Sequence, residues 1–202
     1  MNKLINIIFK DIKRDKSIYF SLILVLAISL IFGIFFITIL EQEHKLLVTN
    51  HINTYFESVK NGGFKYNLLN NITNNNITLF ILWILGFSII GLPLIIGILF
   101  YKGFSLSFTI TSLIYNFRLD GIFLSFIYIF PHLILNLLFY FVTAYYSFKM
   151  SLNLFGIILN KSKFSPSILK KYLFILVVSL FFLSLSALYE TYILPYLIKI
   201  IY

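Results

Sequence analysis

The sequence predicts an all-α, polytopic helical membrane protein, with about five transmembrane helices in a single membrane domain over residues 1–202. Composition is the first observation: 60% of the residues are hydrophobic, 11% are charged and the mean hydropathy is +0.96. A soluble domain of this size could not bury so much apolar side chain. Spacing is the second, because the apolar residues form runs long enough to cross about 30 Å of hydrocarbon as helices.

The first 76 residues are predicted to hold one span between two amphipathic segments. Residues 1–16 combine lysines with apolar residues at helical spacing, which is typical of a basic interfacial helix on the cytoplasmic leaflet. The first span is 17–40. The polar segment 41–76 is predicted to be an amphipathic helical loop on the outer face. Its apolar stripe consists of Val48, Ile52, Tyr55, Phe56 and Val59. The stripe either docks a partner, with Tyr55 and Phe56 as the candidates, or rests on lipid.

The second span, 77–101, is interrupted by glycine and proline. Pro93 lacks a backbone N–H and is predicted to kink it. Gly86, Gly91 and Gly97 either allow close helix packing or mark a broken helix around a binding site.

The next spans are predicted to be separated by two tight turns. Lys102-Gly103 is expected to reverse the chain before a third span, 104–117, which is short or re-entrant. A turn at 118–121 then leads into the fourth span, 122–148.

The fourth span carries its polar side chains on one helical stripe. The stripe consists of Ser125, Tyr128, His132, Asn136, Tyr140, Thr143 and Ser147. An unpaired amide or imidazole in lipid is costly, so this face is expected to look into protein or water. It provides either hydrogen bonds between helices or a polar conduit. We expect His132 and Asn136 to bond to Ser105, Ser107, Thr109 or Thr111.

The C-terminal part is predicted to be a basic cytoplasmic loop, 149–171, a fifth span, 172–194, and an outer tail, 195–202. Glu190 is the one acidic residue of this apolar segment, and helix length places it near the outer edge of the hydrocarbon. It either reaches the headgroups or pairs with a cation. We predict that it pairs with Arg118 and clamps the fifth span to the turn after the third.

Charge distribution predicts the orientation. With the N-terminus inside, the cytoplasmic segments hold eleven basic residues and the outer segments hold five. The positive-inside rule therefore favours a cytoplasmic N-terminus and an outer C-terminus.

Three blocks resemble the stage II sporulation protein M family. They are "WILGFSIIGLPLIIGILFYKGFSLSF" (83–108), "LSFIYIFPHLI" (124–134) and "SALYETYILP" (186–195). The first block includes Trp83, Gly91 and Pro93. Pro131 and His132 resemble the start of a superfamily block that often continues to a glutamate, where this chain has Asn136. A proton-handling role attributed to that glutamate is therefore not expected here.

The resemblance implies a non-enzymatic scaffold in the mother-cell septal membrane of an endospore-forming bacterium. Such a scaffold localises stage II sporulation proteins D and P, the cell-wall hydrolases that degrade septal peptidoglycan during engulfment. The alternative is a small transporter or channel that uses the polar face of the fourth span and Glu190. No cofactor, metal or nucleic acid is expected, because the familiar catalytic and phosphate-binding motifs are absent from the sequence. The lipid bilayer is an expected partner, and a homo-oligomer is possible.

Overall fold

The structure, a computed structural model, describes residues 15–61, 68–129, 132–159 and 166–201, which are almost wholly helical. The helices are α1 (Lys16–Ile39), α2 (Gln42–Lys60), α3 (Leu68–Leu85), α4 (Gly91–Ile129), α5 (His132–Ile158), α6 (Pro166–Leu188) and α7 (Leu194–Ile201). A π-helical turn, Tyr189–Ile193, joins α6 to α7. The predicted basic helix over 1–16 lies outside the described residues, except for its last two.

The all-α membrane class is confirmed. Four helical stretches are long and apolar enough to cross a membrane: Lys16–Ile39, Gly91–Phe126, His132–Ile158 and Ile168–Leu197. The first agrees closely with the predicted span 17–40. Helix α3 packs against α4, α5 and α6, although its first half is rich in asparagine.

Side-chain contacts give the direction of each helix. Phe32 packs on Phe100 and Phe36 packs on Phe104, so α1 and α4 are parallel. The carbonyl oxygen of His132, the first residue of α5, accepts a hydrogen bond from Ser186 near the end of α6. Ser147, further along α5, bonds to Tyr172 near the start of α6. Hence α5 and α6 are antiparallel. The same reasoning makes α3 antiparallel to α6.

The bundle therefore has two ends, named here after the predicted orientation. The inner end contains Asp15, Gly86 and Lys149, and the outer end contains Leu40 and Thr191. The order α1, α3, α4, α5, α6 alternates in direction, as a chain with five crossings requires.

Small residues allow α1 and α4 to approach closely. Ser29 and Gly33 on α1 face Gly103 and Ser107 on α4, each pair four residues apart. A Cβ built on Gly33 would lie 2.6 Å from the carbonyl oxygen of Phe104. Small residues at this spacing let helix backbones pack tightly in lipid. Of the three glycines predicted to allow close packing, Gly86 and Gly91 lie at close approaches, whereas Gly97 has nothing within 4 Å of an added Cβ.

The predicted boundaries of the second and third spans are wrong. The break in the chain lies at 86–90, between α3 and α4, and α4 continues through the reversal predicted at Lys102-Gly103. Pro93 is the third residue of α4, where no partner for its missing N–H is needed, so it produces no kink. The third span is neither short nor re-entrant, because α4 runs unbroken from Gly91 to a kink at Arg118.

The outer loop predicted over 41–76 is also shorter than expected. Its last part belongs to α3, because asparagines bond to neighbouring helices instead of to water. Asn71 Nδ2 donates to Thr191 Oγ1 over 3.1 Å, and Asn76 Nδ2 donates to Ser184 Oγ over 3.0 Å. These bonds offset the low intrinsic helix propensity of asparagine.

The turn predicted at 118–121 is present. Arg118 has a positive φ of 53°, and the chain then folds back on α4 so tightly that a Cβ on Gly121 would lie 2.8 Å from Ile114 Cα. The predicted fourth span, 122–148, is divided as a result. Residues up to Ile129 belong to the end of α4, and α5 continues to Ile158.

Lys149 therefore does not begin the cytoplasmic loop as predicted. It stays in α5 at the inner end because it forms an ion pair with Asp15. Asp15 also accepts a 2.8 Å hydrogen bond from Tyr145 Oη.

Pro195 does not end the last helix, and the predicted tail is helical as α7. The wide π turn before it carries a Leu194 N–H to Tyr189 O bond, which bypasses the bond that Pro195 cannot make.

The predicted docking stripe on α2 packs against the chain itself. Phe56 is 2% exposed and Val59 is fully buried, in an outer cluster with Leu113, Leu124 and Leu194. Tyr55 and Ile52 are partly buried against the same cluster. Phe56 therefore offers almost no surface to a partner, whereas Tyr55 stays partly exposed, and a docking role for this pair remains a prediction.

Candidate functional site

The polar stripe of the predicted fourth span faces the interior of the bundle. Ser125, His132, Asn136, Tyr140, Thr143 and Ser147 are all buried. The side chain of Tyr128 lies outside the described part of the structure. Ser151 extends the stripe by one more turn. The prediction that this face avoids lipid is confirmed for every described member.

In its inner half, the stripe makes hydrogen bonds between helices. Thr143 Oγ1 donates to Ser179 Oγ of α6 over 3.0 Å. Ser147 and Tyr172 share a 2.9 Å bond between hydroxyl groups. Ser151 Oγ donates to the carbonyl oxygen of Ser88 over 2.7 Å, in the break between α3 and α4. This part of the stripe serves as the hydrogen-bonding interface considered in the sequence analysis.

Trp83 belongs to a compact inner junction. Its ring stacks on Tyr172, with centroids 5.2 Å apart, and its carbonyl oxygen accepts a hydrogen bond from Tyr172 Oη. Gly86 brings the end of α3 against α5, since an added Cβ would lie 2.9 Å from Ser147 Cα. Gly91 is similarly close to Leu85, and an added Cβ would overlap the Leu85 carbonyl. Residues 83–93 thus form a tight hairpin between α3 and α4 that packs against Ser147 of α5 and Tyr172 of α6.

The outer half of the stripe borders a cavity of about 90 Å³ between α3, α4 and α5. It is lined by Asn75, Lys102, Ser105, Leu106, Thr109, Leu133, Asn136, Leu137 and Tyr140. The cavity has room for about three water molecules at roughly 30 Å³ each.

Lys102 is the functional candidate that the sequence analysis missed. It lies eleven residues into α4, about 16 Å from the inner start of that helix at 1.5 Å per residue. Its ammonium group lies 4.4 Å from the centroid of the Tyr140 ring. Tyr140 Oη in turn donates to the carbonyl oxygen of Asn75 over 2.7 Å. A charged side chain at mid-depth of a membrane bundle is a functional candidate by default.

The predicted Glu190–Arg118 clamp is wrong. Glu190 is partly buried in the π turn, and the charge that acts on its carboxylate belongs to Lys102. Arg118 is exposed at the kink of α4 and is not among the groups that act on Glu190. The sequence pattern could not reveal this interaction, because it predicts Lys102 in an inner turn, far from Glu190.

The predicted hydrogen bonds from His132 and Asn136 to the hydroxyl groups of α4 are not formed either. Ser107, Thr109 and Thr111 donate to carbonyl oxygens of their own helix. His132 stacks on Tyr189 with ring centroids 5.8 Å apart, and its backbone carbonyl accepts a bond from Ser186. Pro131 lies outside the described residues.

Comparison with protein families identifies the chain. The model for stage II sporulation protein M matches residues 22–195, which include most of α1, the inner hairpin, Lys102 and Glu190. The chain belongs to the stage II sporulation protein M family. The search of curated proteins and the search of solved structures gave no match. Family membership and the long apolar helices make this a sporulation-related membrane protein.

Proposed function

We propose that this family member is a non-enzymatic membrane scaffold in endospore formation. It localises the septal peptidoglycan hydrolases, stage II sporulation proteins D and P, in the mother-cell membrane during engulfment. The sporulation family supports the setting. The positive-inside distribution supports an outer location for α2, the side on which peptidoglycan lies.

The observation that carries this proposal is the way α2 is held at the outer end. Its apolar face packs on α4 and α7, and the opposite face is exposed and polar. This α2 polar face consists of Glu43, Asn50, Thr54, Glu57 and Asn61. At the flank of this face, Asn53 Oδ1 accepts a 2.8 Å hydrogen bond from Asn116 Nδ2 of α4, which helps to fix α2 to the bundle. A polar surface fixed to a membrane bundle is suited to binding a protein outside the bilayer.

Co-purification tests the proposal. A tagged chain with Glu43→Lys and Glu57→Lys should recover less of proteins D and P from sporulating cells than the unchanged chain. Both side chains are exposed, so the double variant should remain folded in the membrane. Lys170→Glu is the control, because it changes an exposed charge on α6 at the inner end. If neither hydrolase is recovered with the unchanged chain, the scaffold proposal fails. If the double variant recovers them fully, the α2 polar face is not the docking surface.

A second candidate function is a small transporter, and one observation favours it. Lys102 lines a polar cavity and interacts electrostatically with Glu190, and charged groups inside a membrane bundle often mark a substrate path. The chain contains no cysteine, so single cysteines at 105 and 136 can be probed with a water-soluble thiol reagent. A transporter predicts labelling at both positions from at least one side. Complete protection at both, with labelling at an exposed control such as 54, contradicts it.

A further inference from the structure

The ammonium group of Lys102 has three N–H donors and no described acceptor for any of them. Its neighbour in the structure is the face of the Tyr140 ring. Among the described residues, no carboxylate lies within 4 Å of it, although Glu190 acts on it from further away. Burial of a charge inside a helical bundle costs free energy unless its N–H donors have acceptors and an opposite charge lies nearby. The space beside Lys102 is therefore suited to a group that accepts hydrogen bonds.

Other groups around the same cavity also lack partners within the described chain. Asn136 is only 5% exposed, and its Oδ1 has no hydrogen bond. No described residue bonds to its amide nitrogen. The hydroxyl of Ser105 likewise makes no bond to a described residue, in contrast to Thr109, which bonds to the Ser105 carbonyl. The lining therefore offers an ammonium group, an amide and a hydroxyl, three kinds of N–H or O–H donor, around one small space.

We propose that this cavity binds a small monovalent anion of the size of chloride. An ammonium, an amide and a hydroxyl from residues that line about 90 Å³ can replace part of the water shell of such an ion. The ion supplies the acceptor that Lys102 lacks. Water alone could accept the hydrogen bonds of the ammonium group. The positive charge would then be balanced only by the more distant Glu190. Because Glu190 offsets part of that charge, binding is expected to be weak and to respond to changes at Glu190.

Binding of radiolabelled chloride to the full-length chain in detergent, measured by equilibrium dialysis, tests this site. The unchanged chain should show saturable binding of about one ion per chain. Lys102→Met should abolish it and Lys102→Arg should retain part of it. Glu190→Gln should tighten binding, since it removes the opposing charge. Lys170→Met is the control, because Lys170 is exposed on α6.

Two results would overturn the proposal. The first is an absence of saturable binding to the unchanged chain, which would mean that water fills the cavity. The second is equal binding by the Lys102→Met chain. If Lys102→Met does not fold, as judged by circular dichroism, Ser105→Leu provides the second test. It should fill the cavity and reduce binding, and unchanged binding in that variant would also overturn the proposal.

Discussion

Replacement of Gly33 by alanine tests the close packing of α1 on α4. The added Cβ would meet Ser107 Oγ and would lie 2.6 Å from the carbonyl oxygen of Phe104. That carbonyl is backbone and cannot rotate away, so the helices must separate. Overpacking of this kind costs about 1–3 kcal/mol. Gly97 provides the matched control, because it is also inside a helix and an added Cβ there meets nothing within 4 Å.

The two variants share one favourable effect, which cancels in their comparison. Alanine is better than glycine in a helix by about 1 kcal/mol. Gly33→Ala is therefore expected to be about 1–3 kcal/mol less stable than Gly97→Ala. The measurement is the free energy of unfolding by sodium dodecyl sulfate in mixed micelles. Ser107→Gly in the Gly33→Ala background should restore part of the loss, since the Phe104 carbonyl remains. Equal stabilities for Gly33→Ala and Gly97→Ala would refute the packing of α1 on α4.

Three further changes test the outer cluster, the inner junction and the central charge pair. Phe56→Ala should lower the free energy of unfolding by about 3–5 kcal/mol, and half-buried Tyr55→Ala by less, in the same micelle assay; equal small losses would show that the stripe on α2 is not packed. Tyr172→Phe should cost about 1–3 kcal/mol, because it leaves the buried Ser147 hydroxyl without its partner and removes one of the two donors to the Trp83 carbonyl, and a neutral result would contradict these bonds. Lys102→Glu and Glu190→Lys should each destabilise the protein, and combining them should recover about 0.5–3 kcal/mol, as measured by a double-mutant cycle. Additive losses would show that the two charges do not interact.

Several features of this fold follow directly from the sequence. The first span is one uncharged run, and its ends agree with α1 within a residue. The polar stripe is recognisable because its members recur every three or four residues, and burial follows from the cost of placing polar groups in lipid. The turn at 118–121 is marked by charges and a glycine between two apolar runs.

The second and third spans are not predictable in the same way. Lys102-Gly103 looks like an inner turn, yet Lys102 remains in α4 because a cavity and the Tyr140 ring accommodate its charge. The actual break lies at 86–90, where glycines permit backbone contact that no local pattern specifies. The same difficulty applies to the asparagines of α3, whose partners are more than 100 residues away.

The candidate site was predictable only in part, because its contacts also join residues that are far apart in the sequence. His132, Asn136 and Glu190 were identified as polar groups in apolar spans, and their burial or partial burial is present in the structure. The electrostatic interaction between Glu190 and Lys102 depends on the register between α4 and the π turn, which is a tertiary property. Likewise, the burial of Phe56 depends on α7 folding back onto α2, whereas the periodicity of α2 shows only that one face is apolar.

Photo-crosslinking from α2 in sporulating cells tests whether the outer end of this bundle docks the septal hydrolases. A photoreactive amino acid is placed at Thr54, in the middle of the α2 polar face, and for comparison at Gly97, which faces away from the bundle. The scaffold account predicts a covalent adduct with protein D or protein P from position 54 and none from position 97. A chain that supports engulfment normally yet forms no hydrolase adduct at position 54 would contradict it.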